Sequence, residues 1–437
     1  CGCKQQQEQD GIVRAIKVRG AANRRGFLAS ALGSLVAWAL GGCGGGAGEG
    51  VAQAVPVGTW AAAMSDLMED VRFLQIDPPD TTTFKDQTVR QTVRVSLGGE
   101  RMRIRFSNLY GDSALPLERV RVALGTGGST VDGATDTAVG FQGQSSVVIA
   151  PGAEVWSDPV AIRVPDGADV TVSVYVKEAA DCTTAHRYAN AIHHLGRGDT
   201  TRAAAMPGAE LLLSGYWMSA MEVYRPVATP VVVAFGDSLT DGNGSTAGAN
   251  RRYPDLLAQR LRHRPGGQPV AVVNGGLGGN RWRFDRFGLR GVERFRRDAL
   301  SVSGITHAIV QLGINDIGFQ HQWTPQETAT ADDVIASLAG AVAAGRAVGV
   351  QVHVATLTPF KGHVYYSEAG EAMRQAVNAW VRAGAGDAAG VIDFDKALCD
   401  PADPAALLVA YRAEDYLHVN DLGFQAMADC VPLERFV

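Results

Sequence analysis

The stretch "PVVVAFGDSLTDG", Pro230 to Gly242, decides how this chain is read. Five apolar residues, Val231 to Phe235, run without a polar break, as in a strand buried on both faces. Gly236, Asp237 and Ser238 then end the run. A serine at that point is either a turn residue or a nucleophile. The G-x-S-x-G elbow between strand and helix is not met, because Thr240 stands where its second glycine belongs. The rest of the chain has to settle the matter.

Downstream, strand-like and helix-like patterns alternate. "RRYPDLLAQRL" predicts a helix with Tyr253, Leu256, Leu257 and Leu261 on one face and Pro254 in its first turn. "AVVNGG" and "HAIVQLG" read as the second and third strands, and "QVHVATLTP" and "GVIDFD" as the fourth and fifth. "DDVIASLAGAVAAG" predicts a helix carrying Ile335, Leu338 and Val342 on one face. Such alternation predicts an α/β domain with a five-stranded parallel sheet over residues 229–437. Ligands of such sheets bind beyond the carboxyl ends of the strands.

Upstream, residues 55–228 are rich in short alternating runs separated by turn residues. They predict an all-β sandwich or jelly-roll-like domain. "QTVRVSLGG" and "RMRIRFSNLYG" read as a hairpin turning at Gly98-Gly99. Residues 1–54 read as an export segment and tether. Arg24-Arg25 precede an apolar run from Phe27 to Leu40, shorter than the ~20 residues that span a bilayer. The pair has the form of a twin-arginine export signal. "LGGC" resembles a bacterial lipoprotein cleavage box, so a membrane tether through Cys43 is expected, with a plain signal cut a few residues later as the alternative. The chain is therefore expected to be secreted, periplasmic or lipid-anchored. Cys182, Cys399 and Cys430 remain after processing; a Cys399–Cys430 disulfide and three free thiols are both open, the pair slightly preferred.

Composition excludes several classes. The chain is 46% hydrophobic and 19% charged, enough for a packed core. A net charge of -5 gives no basic footprint, so no nucleic-acid partner is expected. Lysine occurs only at positions 4, 17, 85, 177, 361 and 396, which supplies a lysine-based catalytic dyad poorly. Oligomeric state is not legible.

Polar and glycine clusters collect at the predicted strand ends: Gly236-Asp237-Ser238, "NGGLGGN" from Asn274, and "GIND" from Gly313. "EDYLHVND" follows the last strand with Asp415 and His418 three residues apart. Acyl transfer needs these types. A serine hydroxyl is a weak nucleophile until an imidazole takes its proton. The imidazole needs a carboxylate to fix its tautomer, and the tetrahedral oxyanion needs donors.

In this ordered set the chain resembles the SGNH/GDSL hydrolase superfamily. "GDSLTDG" is similar to its first block, "NGGLGG" to the second, "GIND" to the third and "DYLH" to the fifth. "GINDIG", "DFDKAL" and the β-rich leading region further resemble a secreted bacterial branch; Val419 departs from it where proline is common. The resemblance implies a flavodoxin-like parallel sheet. It also implies Ser238 as nucleophile, with Asp415 and His418 completing the triad. The resemblance further implies that Ser238, Gly279 and Asn315 form the oxyanion hole. The expected activity is ester hydrolysis without metal or organic cofactor, on acetylated polysaccharide first, with lipase, lysophospholipase or arylesterase activity as alternatives. A surface glycan-binding protein is the contrasting class.

Other residues receive plainer readings. Asp237 is expected to stabilise the turn, Asp421 to cap the last helix, and the glycines through Gly248 to form a loop. His193 and His194 are expected at the surface or a domain contact. His353 is expected as a satisfied core or strand-end histidine. The arginine-rich "RWRFDRFGLRGVERFRRD" reads as a solvated helix face. Trp282, Phe319, Trp323, Tyr365 and Tyr366 are placed equally in a substrate pocket or the general core.

Overall fold

The computed structural model describes residues 54–69, 71 and 82–436. The expected export signal and Cys43 lie outside them. Residues 52–437 form one compact unit.

The leading region is an antiparallel sandwich. One sheet orders Val55–Ala61, Met218–Arg225, Arg101–Ser107 and Glu154–Trp156. The other runs from an edge at Glu210–Leu212 through His193–Arg197, Gln87–Arg94 and Asp169–Val176 to Arg119–Gly127. Alternation puts Val89 and Val93 of one sheet and Met102, Ile104 and Phe106 of the other into the shared core.

The predicted hairpin is not formed. Gln87–Arg94 and Arg101–Ser107 belong to different sheets, and the segment between them crosses from one to the other. Its glycines serve close approach. A Cβ on Gly98 would lie 1.8 Å from the Val164 carbonyl oxygen, and one on Gly99 2.6 Å from that of Tyr224. Neither has the positive φ that a two-residue hairpin turn demands.

The second region carries a five-stranded all-parallel sheet. Its strands are β1 (Val231–Gly236), β2 (Ala271–Gly276), β3 (Ile305–Gln311), β4 (Gln351–Ala355) and β5 (Gly390–Ile392). The order β2-β1-β3-β4-β5 is flavodoxin-like. All six residues of β1 are buried, which is why its sequence does not alternate. Helix α1 (Ser238–Asp241) is one turn long. It is followed by α2 (Tyr253–Arg262), α3 (Ile314–Gln322), α4 (Ala331–Ala347), α5 (Glu368–Arg382) and α6 (Asp421–Asp429). Arg252 starts α2 by clasping Asp255 through two nitrogens at 2.7 and 2.9 Å, and Pro254 sits in the first turn. Tyr253, Leu256, Leu257 and Leu261 are then buried against the sheet. Fully burying an aliphatic side chain of this kind contributes roughly 1.5–3 kcal/mol.

Several smaller expectations are corrected. Asn420, not Asp421, caps α6, accepting from Leu422 and Gly423 N–H at 3.0 and 3.1 Å. Asp421 instead accepts from the Thr246 N–H and hydroxyl, both at 2.8 Å, and ties the Gly-rich loop to the helix. The Cys399–Cys430 disulfide is absent; all three cysteines are free, and the two thiols turn to the Lys396 and Met427 carbonyls. His353 is buried but unsatisfied, with neither ring nitrogen hydrogen-bonded. It stacks on His307 instead, ring centroids 5.8 Å apart, and burial pushes its pKa down to about 4, so it is neutral. His193 and His194 are buried at a domain contact, the second of the two places expected, lining a cavity of about 510 Å³ between sandwich and α/β region.

The arginine-rich segment is a solvated face only in part: Arg283, Arg290, Glu293 and Arg296 are exposed, but two arginines turn inward. Arg281 and Arg294 are completely buried. The Arg294 guanidinium donates to the carbonyl oxygens of Gly236 and Gly275 at 2.8 and 2.7 Å, and lies 4.1 Å from the centroid of the Phe235 ring. It thus satisfies the carboxyl ends of β1 and β2 from below.

Candidate active site

Ser238 begins α1 directly after β1 and is 5% exposed. Gly236 has to be glycine, because a Cβ there would sit 2.2 Å from the Thr240 hydroxyl and 2.3 Å from the Gln311 carbonyl oxygen. The Asp237 side chain accepts from Leu239 N–H at 3.1 Å, the turn role its position predicts. Its other oxygen is buried without a partner. Burial pushes its pKa up to about 7.

The loop before α6 brings a histidine to this serine. His418 Nε2 lies 2.7 Å from Ser238 Oγ, although the two are 180 positions apart in the chain. On its other side, Nδ1 is hydrogen-bonded to Asp415 Oδ2. Asp415 Oδ1 also accepts from the N–H groups of Leu417 and His418 at 3.1 and 3.0 Å. The carboxylate therefore folds its own loop as well as orienting the ring, helped by Tyr416 in a left-handed conformation at φ 64. Although burial alone raises its pKa, the His418 hydrogen bond and charge and the two backbone N–H groups hold this carboxyl below the usual carboxylate range. The Asp415 side chain remains 42% exposed, so its hold on the ring comes from this hydrogen-bond geometry rather than from seclusion.

Gly279 and Asn315 meet Ser238 in the same cleft, of about 540 Å³. Gly279 has φ 74, and a Cβ there would lie 2.6 Å from the Phe287 ring. Asn315 occupies the first turn of α3, which starts after Gly313 at φ 136. Its amide nitrogen donates to the Asn280 carbonyl at 3.0 Å, and its oxygen accepts from the Tyr365 hydroxyl at 3.3 Å. These two contacts fix the amide orientation and leave its second N–H for the cleft. Asp316 braces the same loop by accepting from the Trp282 and Arg283 N–H groups at 2.8 and 3.1 Å; burial lifts its pKa to about 6.

The structure thus brings together all five expected residues, Ser238, Gly279, Asn315, Asp415 and His418. Of the aromatics, Phe319, Trp323 and Tyr365 line the cleft. Trp282 is core, its ring N–H donating to the Leu312 carbonyl at 2.8 Å, and Tyr366 lies off the cleft lining. Sequence reasoning missed His363, which lines the cleft and is held neutral at neutral pH because burial pushes its pKa down to about 4. It also missed Tyr188, which the sandwich contributes to the cleft wall, and Arg294 beneath the strand ends. No sequence pattern marks these three, since their roles follow from contacts between distant segments.

Chemically, a hydroxyl hydrogen-bonded to an oriented imidazole, beside backbone and amide donors, is an arrangement able to carry out acyl transfer. Residues 234–426 match the model of the GDSL-like lipase/acylhydrolase family. The match spans the α/β region and agrees with the SGNH/GDSL resemblance of its sequence blocks. No curated protein matches the chain. Similar solved structures cover less than half of it. One is a member of the lipolytic G-D-S-L family from Veillonella parvula, at 18% identity and TM-score 0.33, covering 46% of this chain and 96% of that one. A GDSL-like lipase from Bacteroides thetaiotaomicron gives 16% identity and TM-score 0.34, covering 46% and 85%. A variant of an acetyl-xylooligosaccharide esterase from Geobacillus gives 18% identity and TM-score 0.36, covering 47% and 93%.

Proposed function

We propose that this protein is a serine esterase that hydrolyses carboxylic esters through an acyl-enzyme on Ser238. The observation that carries the reading is the 2.7 Å contact between Ser238 Oγ and His418 Nε2, with Asp415 on the far side of the ring. His418 removes the hydroxyl proton as Oγ attacks the ester carbonyl carbon. The oxyanion is received by the N–H groups of Ser238 and Gly279 and by the Asn315 amide. Collapse expels the alcohol, which takes the proton from His418. Water, deprotonated by the same imidazole, then attacks the acyl-enzyme, and His418 returns that proton to Ser238 Oγ as the carboxylic acid leaves.

The substrate assigned first is an acetyl ester of a polysaccharide, handled by an exported form that is secreted, periplasmic or lipid-anchored. Support comes from the resemblance to secreted proteins and from the polar groups Asn243, Gln322 and His363 around the cleft. A short-chain arylester is the second reading, favoured by the aromatic wall of Phe287, Phe319, Trp323 and Tyr365. Hydrolysis of p-nitrophenyl acetate by wild type and Ser238→Ala tests the chemistry; native-rate turnover by the variant contradicts it. Acetylated xylan, tributyrin and lysophosphatidylcholine assayed side by side test the substrate, and preference for either lipid refutes the polysaccharide assignment.

A further inference from the structure

We infer that His186, contributed by the sandwich, is a positioning residue for the oxyanion donors: through Asp241 it fixes the loop that presents Gly279. The inference rests on the reading of Ser238 as nucleophile.

His186 and Asp241 are 5% and 2% exposed. His186 Nδ1 lies 2.8 Å from the Ala63 carbonyl oxygen, and Nε2 lies 2.8 Å from Asp241 Oδ1. A carbonyl and a carboxylate only accept, so both ring nitrogens carry hydrogen and the ring is an imidazolium. Burial opposes that charge, yet the Asp241 carboxylate outweighs it and pushes the pKa of the ring up. The second Asp241 oxygen accepts from the Gly278 N–H at 2.9 Å.

The connectivity gives this link its consequence. Asp241 closes the same one-turn helix that Ser238 opens. Gly278 immediately precedes Gly279, in a loop whose glycines have unusual backbone freedom. One carboxylate therefore clamps three parts: the nucleophile's helix, the loop carrying a candidate oxyanion donor, and the sandwich. Asn190, also from the sandwich, donates to the Asp241 carbonyl at 3.3 Å and supports the same junction. Apolar residues of similar volume usually stabilise a fold at least as well as a buried ion pair. What this pair adds is the fixed position of the Gly278 N–H, and misplacement by about 1 Å near a reacting centre can cost ~100-fold in rate.

Steady-state hydrolysis of p-nitrophenyl acetate by His186→Ala, Asp241→Ala, the double variant, Asp241→Asn and Ser238→Ala tests this, with thermal melts showing that each is folded at the assay temperature. His186→Ala and Asp241→Ala are each expected to lower kcat by about 10–100-fold with KM within about threefold. The double variant should be no worse than the poorer single one. In Asp241→Asn, the new amide can donate to a neutral His186 Nε2 while its oxygen keeps Gly278, so it should restore kcat to within about threefold of wild type. The inference is overturned if the folded alanine variants keep kcat within about twofold, or if Asn and Ala at 241 are equally impaired. Should His186→Ala not fold, the contrast between Asn and Ala at 241 decides. An inactive Ser238→Ala leaves the underlying esterase reading standing in either case; an active one brings down both.

Discussion

Ser238 acquires its chemistry from partners the chain delivers from far away, and substitutions at those partners separate their roles. Asn315→Ala should lower kcat by about 10²–10³-fold with little change in KM, because the amide is needed chiefly when the oxyanion forms; steady-state kinetics check this. Asp237 yields a pH prediction. Its folded pKa of about 7 exceeds the ~3.9 of an unfolded aspartate, so the native state binds the extra proton between those values. The associated stability is fully present below about pH 4 and is lost as pH rises through 7. Asp237→Asn should therefore stabilise the protein at pH 8, by on the order of 4 kcal/mol, and lose that advantage at pH 4. Urea unfolding at the two pH values measures it. Ser238, Asn315, Asp415 and His418 were legible in the sequence because each falls within a short block in a fixed order. Arg294 and His186 were not, since a buried arginine or histidine looks like any other until its distant carbonyl or carboxylate partner is known.

At the scale of elements, the strand-helix alternation was legible because β1 to β4 are largely buried on both faces and their helices carry apolar residues at helical spacing. The hairpin at Gly98-Gly99 misled because glycine serves two needs. A pair of glycines between alternating runs signals a turn, but here it admits the backbones of Val164 and Tyr224. The arginine-rich segment misled for a related reason: interleaved acids suggest solvent, whereas the inward arginine finds backbone acceptors. Arg294→Met tests that role. It leaves the Gly275 carbonyl and the Asn280 side-chain oxygen without this buried donor, while the Gly236 carbonyl keeps the Leu277 N–H at 3.1 Å. Each orphaned group costs about 1–3 kcal/mol, so a loss on the order of 3 kcal/mol or more is expected in denaturant unfolding. A change below about 0.5 kcal/mol, the range of ordinary surface substitutions, would show that these bonds contribute little.

At the scale of the molecule, sandwich and parallel sheet share one hydrophobic cluster that includes Val57 and Val223 on one side and Val231, Val273 and Val310 on the other. The junction is also hydrogen-bonded, from Gly58 N–H to the Ser303 carbonyl at 2.9 Å and from Val272 N–H to the Ser96 hydroxyl at 3.1 Å. A chain cut to residues 229–437 should therefore melt at a lower temperature than the full chain and bind the dye ANS through exposed apolar surface. A truncated form with an unchanged melting temperature and no dye binding would mean that the shared core is dispensable. The sandwich supplies Tyr188 to the cleft and His186 behind it, so its removal should also impair turnover.

The central claim is that Ser238 is the nucleophile, activated by His418. Reaction of the folded protein with a fluorophosphonate, followed by mass spectrometry of its peptides, tests it most directly. The account predicts one adduct, on Ser238, absent from Ser238→Ala and strongly slowed in His418→Ala. An unmodified Ser238, or labelling that proceeds at the native rate without His418, would contradict it.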